Sequence, residues 1–208
     1  QATLASNRAQ SVDELLAAFE GFHAPMQSVL AADRSGRMAF KAVGLVPLRH
    51  ADNDIRGIAP SPGWDARYDW AGWIPYAETP QDDGSRGWIA TANQRIHGPD
   101  YPHFMTQDWR PPYRYDRIEE LLTQTPKHTV ESFRAIHADV RSAATVRLLP
   151  FLQQARSSHP LAPAALAALE SFDGEMRADR AAPLIFSVWV DEFTRQVVGE
   201  LLGREIGR

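Results

Sequence analysis

At 208 residues, with an apolar fraction of 44% and a charged fraction of 23%, the chain suits one large domain or two small ones and can bury a substantial core. A net charge of −4 argues against a nucleic-acid footprint, and no apolar run reaches membrane-spanning length. The absence of cysteine excludes disulfides, thiolate metal sites and a cysteine nucleophile.

In chain order, "SVDELLAAFEGF" opens with Ser11 and Glu14 at capping-box spacing, and Val12, Leu15, Leu16 and Phe19 share a helical face, with a stop expected at Gly21. "QSVLAADRSGRMAFKAVG" reads as two short strands around the turn "DRSG". Residues 45–113 hold nine of the fifteen prolines and five of the six tryptophans. Proline limits regular structure there, while so many indoles point to an excursion packed onto the fold. A strand is expected within it at "GWIATAN". Residues 114–208 read as helical. "RIEELL" places Ile118, Leu121 and Leu122 on one face, and "TVESFRAIHADVRSAATVRLL" reads as one helix capped by Thr129 and interrupted at Pro150. "PAALAALESF" is a short helix ending near Gly174, and "APLIFSVWVDEFTRQVVGELLG" a longer one, well buried at its start, with Pro183 in its first turn. The division expected is 1–113, with the hairpin and the Pro/Trp-rich excursion, and 114–208, mainly helical.

The chemistry concentrates in "GWIATANQRIHGPDYP", where an apolar run ends on Asn93. An asparagine there either shapes a turn or donates its amide to a developing oxyanion. Arg114 and Arg117 in "YRYDRIEEL" either pair with nearby carboxylates or orient an asparagine carbonyl or a substrate carboxylate with the planar guanidinium fork. The seven histidines show no HExxH spacing. Asp52, Asn53 and Asp54 form an acidic turn without the spacing of a known calcium loop. A Ser-His-Asp triad, which is assembled in space, singles out no serine here.

The order of fragments adds more. "APMQSVLAADRSGRMAFKAVGLVPLR", "PGW…YDWAGWIP", "GWIATANQRI…DYP", "YRYDRIEELL", "HADVRSAATVRLLPFL" and "LESFDGEMRADRAAPLIFSVW" together resemble the β-subunit of the penicillin acylase (penicillin amidase) family of N-terminal nucleophile hydrolases. The resemblance implies an α+β class: part of an α-β-β-α sandwich, with a largely helical C-terminal half. It implies an amidohydrolase whose nucleophile is the N-terminal Ser of the β-chain, with that residue's α-amine as base. It assigns Asn93 as the oxyanion asparagine and Arg117 as the arginine that positions the site. Gln1 cannot attack a carbonyl, so the chain is expected to be the middle of a β-subunit, inactive alone, with the Ser outside it. Trp88, Tyr101, Phe104 and Trp109 either support an acyl pocket or pack in the core.

The implied partners are a small amide substrate and the remaining α- and β-chain segments, with no nucleic acid and no membrane. Self-association of the isolated piece through exposed strand edges is a further expectation. The chemistry needs no cofactor; a structural calcium in the intact parent is compatible with the resemblance, with no ligand assigned in this sequence. Periplasmic or secreted location follows from the resemblance alone. The rival reading is a non-catalytic scaffold or binding module derived from the same fold.

Overall fold

The computed structural model describes residues 1–203. The chain forms two compact units, Gln1–Tyr115 and Asp116 onward.

In the first unit, α1 (Ala2–Ser6) and α2 (Val12–Ala18) precede the strands. Ser11 caps α2 by accepting from the Glu14 N–H at 3.2 Å. The reciprocal bond of a capping box goes elsewhere: the Glu14 carboxylate accepts from the Gln10 N–H at 2.7 Å. The helix therefore starts where expected, and it ends at Ala18, short of Gly21.

The hairpin forms as its sequence indicates. β1 (Gln27–Ala32) and β2 (Met38–Val43) pair antiparallel from Gln27↔Val43 to Ala32↔Met38. Asp33 organises the turn: its carboxylate accepts from the Ser35 N–H at 2.9 Å and from the Val12 N–H at 3.2 Å. The bond from the Ser35 hydroxyl, followed by these backbone donors, holds the Asp33 carboxyl below its usual range. β2 is the middle strand of a three-stranded sheet, order β1-β2-β5, and Ala39 to Val43 are buried without alternation because both faces are covered. Lys41 lies inside this strand, 3% exposed. Its ammonium donates to the Thr79 carbonyl and to Gln81 Oε1, both at 3.0 Å, which fastens β5 (Gln81–Asp82) to β2.

A second ribbon pairs β3 (Pro47–Arg49) with β4 (Trp70–Trp73). Beside it Val46, Ile74 and Met105 form a small core, with Tyr101 and Trp109 packed against it. The indoles of the excursion divide. Trp88 and Trp109 are half-buried, whereas Trp64, Trp70 and Trp73 are exposed. This corrects the expectation that the tryptophans pack inward. A two-stranded ribbon has little interior to offer, and Trp70 and Trp73 shield each other edge to face at 5.0 Å.

The strand expected at "GWIATAN" is absent; residues 87–94 form an irregular segment. At Ala92 the backbone groups are satisfied by side chains in place of a ladder. The Ala92 N–H donates to Gln94 Oε1, and the Ala92 carbonyl accepts from Arg114, both at 2.7 Å.

α3 (Tyr113–Thr123) begins in the first unit and continues into the second, which adds α4 (Val130–His137), α5 (Ala143–Gln153), α6 (Ala162–Leu169) and α7 (Ala182–Leu202). The single helix expected over "TVESFRAIHADVRSAATVRLL" is two. Thr129 and Ser132 form a full capping box at the start of α4. The chain then turns, with the Asp139 carboxylate accepting from the Arg141 N–H, and Ser142 caps α5. Short polar side chains that bond the backbone outcompete helical periodicity here. α5 runs through Pro150 to Gln153 without restarting at it. α6 stops at Leu169, well before Gly174. Leu149, Leu152, Leu169, Phe172, Ala182 and Phe186 make the core of this unit. Pro183 lies in the first turn of α7, as expected. That helix buries Ala182, Pro183 and Phe186 while Leu184, Val188 and Phe193 face outward, so it is buried along one side only.

Candidate active site

Asn93 adopts φ +63°, a left-handed conformation that asparagine tolerates better than most residues. It interrupts the extended path after Ala92 and leaves its side chain exposed. Three contacts clamp the residue and its neighbours. Arg114, in the first turn of α3, donates through one guanidinium nitrogen to Asn93 Oδ1 and to the Ala92 carbonyl, each at 2.7 Å. The Arg110 N–H donates to the Asn93 carbonyl at 3.1 Å. The nearly buried Gln94 ties back to the Ala92 N–H.

This arrangement settles which way the amide faces. A guanidinium has donors only, so the atom it meets is the carboxamide oxygen. The Asn93 NH₂ therefore points away from Arg114. An amide whose oxygen is held by a cation can offer its N–H groups to negative charge. Thr91 and Gln94, on either side of it, line a recess of about 230 Å³ together with Phe40, Arg86 and Tyr115. Arg86 stands there paired with Asp82 at 2.8 Å and stacked 4.3 Å over the Trp88 ring.

Arg117, one turn along α3 from Arg114, is engaged differently. Its Nε and Nη2 grip the Asp139 carboxylate at 3.1 and 2.6 Å, and its Nη1 meets Glu120 at 2.8 Å. The bidentate bond with Asp139 raises the arginine above its ordinary value and lowers the Asp139 carboxyl. The arginine in contact with Asn93 is thus Arg114; Arg117 pairs with the nearby Glu120, as its sequence neighbourhood offered, and with Asp139, 22 residues away, which it did not. The spacing in "YRYDRIEEL" presents two guanidiniums one turn apart and does not say which one the loop reaches.

The remaining candidates are placed as follows. Tyr101 and Trp109 belong to the small core, and the His97 ring packs on both, at 4.7 and 5.7 Å. His103 pairs with Glu78 at 2.6 Å. Around Asp52–Asp54, Asn53 Oδ1 accepts from the Arg56 N–H and Asp54 from the Tyr68 hydroxyl. No three His, Asp or Glu side chains converge among the described residues. Among the described residues no helix is long and apolar enough to cross a membrane.

Comparison with known proteins agrees with this α+β architecture. The structure matches a thermostable penicillin G acylase from Alcaligenes faecalis with a TM-score of 0.74 and 23% identity, over 97% of this chain and 38% of that one. The penicillin amidase family model matches residues 1–208, and the chain belongs to that family. Similar proteins include the penicillin acylase 2 proenzyme of Pseudomonas sp. strain SE83, 32% identical over 91% of this chain and 24% of that protein. The acyl-homoserine lactone acylase QuiP of Pseudomonas aeruginosa is 30% identical over 97% of this chain and 25% of that protein. The chain spans about a quarter of the length of the curated relatives it matches.

Proposed function

We propose that this chain is the oxyanion-binding part of an amidohydrolase that cleaves carbon–nitrogen amide bonds through an acyl-enzyme on a serine outside the chain. In the proposed reaction the serine Oγ attacks the amide carbonyl and gives its proton to the base. The carbonyl oxygen becomes negative, and the Asn93 NH₂ donates to it. The C–N bond then breaks, the amine leaves with a proton, and water releases the acid from the serine ester. Arg114 is a positioning residue: it holds the Asn93 oxygen so that the N–H groups face the oxyanion without reorganising during the reaction. Arg117 has a supporting part, anchoring the next turn of α3 through Asp139.

The observation that carries this reading is the Arg114–Asn93 bond at 2.7 Å, which turns the amide donors away from the arginine. Membership of the penicillin amidase family supports the reaction class. The names of the relatives suggest a penicillin and an acyl-homoserine lactone as first substrates to assay. In the intact protein, Asn93→Ala is expected to lower turnover by about 10²–10³ with the fold retained. Turnover close to wild type would remove Asn93 from the mechanism. An intact protein inactive on both substrates and on a chromogenic phenylacetyl amide would favour the scaffold reading.

A further inference from the structure

Away from the Asn93 clamp, two cations converge on one aromatic ring. Arg49 closes β3, and Arg56 lies in the turn that follows. Their guanidinium carbons stand 5.6 and 5.4 Å from the centroid of the same ring, Phe104. Among the described residues neither makes an ion pair. The Arg49 guanidinium has one hydrogen bond, a long one of 3.3 Å to the Pro47 carbonyl. An aromatic face attracts a guanidinium but supplies no acceptor for its N–H groups.

The backbone is specialised to place these groups. Arg56 sits at φ +53°, an uncommon conformation for a residue with a Cβ, and its N–H is held at 2.7 Å by the buried Asn53 side chain. Gly57 follows at φ +74°, and a Cβ there would stand 2.9 Å from the Arg49 Nη2. Because that nitrogen ends a flexible side chain, it is the positive φ, more than the contact, that calls for glycine here. Burial pushes Arg49 below the ordinary arginine value, as expected of a cation partly removed from water.

Arg49, Arg56, Gly57, Ile58, Phe104 and Met105 line a recess of about 520 Å³. That is the size of a small-molecule site and more than one carboxylate side chain would fill. Asp108 also lines it, so two positive groups face one negative group. The balance suits a monoanion better than a phosphate dianion, and the apolar wall suits a carbon body.

We propose that this recess binds a free organic monocarboxylate, its carboxylate gripped by Arg49 and Arg56 and its apolar body laid against Phe104, Met105 and Ile58. Planar, bidentate recognition of a carboxylate is the task for which arginine is better shaped than lysine. The proposal stands whether or not Asn93 is catalytic.

The test titrates hexanoate, hexanamide and inorganic phosphate into the intact protein by calorimetry. It uses wild type, Arg56→Gln, Arg49→Gln/Arg56→Gln and Asn93→Ala. Hexanoate is expected to bind wild type and Asn93→Ala alike, about tenfold or more weaker to Arg56→Gln, and undetectably to the double variant. Hexanamide is expected not to saturate, and phosphate to bind more weakly than hexanoate. Arg56 is exposed, so its variant serves even if the double variant fails to fold. Three results would overturn the proposal: unchanged hexanoate affinity in Arg56→Gln, tighter binding of phosphate than of hexanoate, or a structure of the intact protein with both guanidiniums paired to its own carboxylates.

Discussion

The β1–β2 hairpin and the segment around Asn93 satisfy the same physical requirement in opposite ways. In the hairpin, six residues of each strand face one another in unbroken register, and backbone answers backbone. Around Asn93, the Ala92 N–H and carbonyl are answered by Gln94 and Arg114 side chains, and no strand forms. The hairpin is built for stability: its second strand, β2, is the middle strand of the sheet and is buried on both faces. The Asn93 segment leaves Asn93 exposed, as the proposed oxyanion role requires. Catalytic and binding groups gather on such irregular segments held by a rigid frame.

Mutations at the two places should therefore separate stability from activity. The largest effect on folding is expected at Gly44, just after β2. It has φ +112°, and a Cβ there would lie 2.8 Å from the Met26 Cα, a backbone atom that cannot step aside. Gly44→Ala should cost about 3 kcal/mol or more in chemical denaturation of the intact protein. A cost under about 1 kcal/mol would show that the hairpin is less rigid than its register suggests.

At Arg114 the balance should reverse. Arg114→Ala frees the Asn93 carboxamide to rotate, and turnover should fall about 10²-fold with KM little changed. Arg114→Lys should recover only part of it, because one ammonium cannot reproduce the planar fork that serves Asn93 and Ala92 together. If KM rises while kcat holds, Arg114 contacts the substrate and does not act through Asn93.

The neighbouring Arg117–Asp139 pair should behave as a stability element. The Asp139 carboxyl is held below its usual value, so its contribution is complete above the unfolded pKa of about 3.9 and is lost as pH falls through the lower folded value. Asp139→Asn should cost about 2 kcal/mol at neutral pH and flatten the acid limb of the stability curve. An acid limb as steep as that of wild type would assign the acid sensitivity to other carboxylates. The smallest effect is expected at Trp64, which is 90% exposed: Trp64→Ala should stay within about 0.5 kcal/mol in the same denaturation assay.

Elements whose signal is local were legible in the sequence. Ser11 and Thr129 cap helices where they stand, "DRSG" makes the turn, and Pro183 opens α7, because each acts on groups within a few residues of itself. The strand at "GWIATAN" was misread because an apolar run does not reveal whether a ladder partner exists. The split of the long helix at Asp139–Ser142 was missed because capping side chains outcompeted a continuous helical period. The indole-rich excursion reads as packed onto the fold, but composition does not say which of its indoles are covered, and Trp64, Trp70 and Trp73 are exposed.

The candidate site divides along the same line. Sequence alone singled out the Asn93 segment, the pair of arginines at the start of α3 and, through the order of its fragments, the penicillin amidase family. Those follow from residue identity and spacing, which the chain carries without folding. Which arginine meets Asn93, which way its amide faces, and that Arg49 and Arg56 converge on Phe104 were decided by tertiary structure. These are relations between groups far apart in sequence, and hydrogen-bond direction and charge neighbourhood exist only once the chain has brought them together.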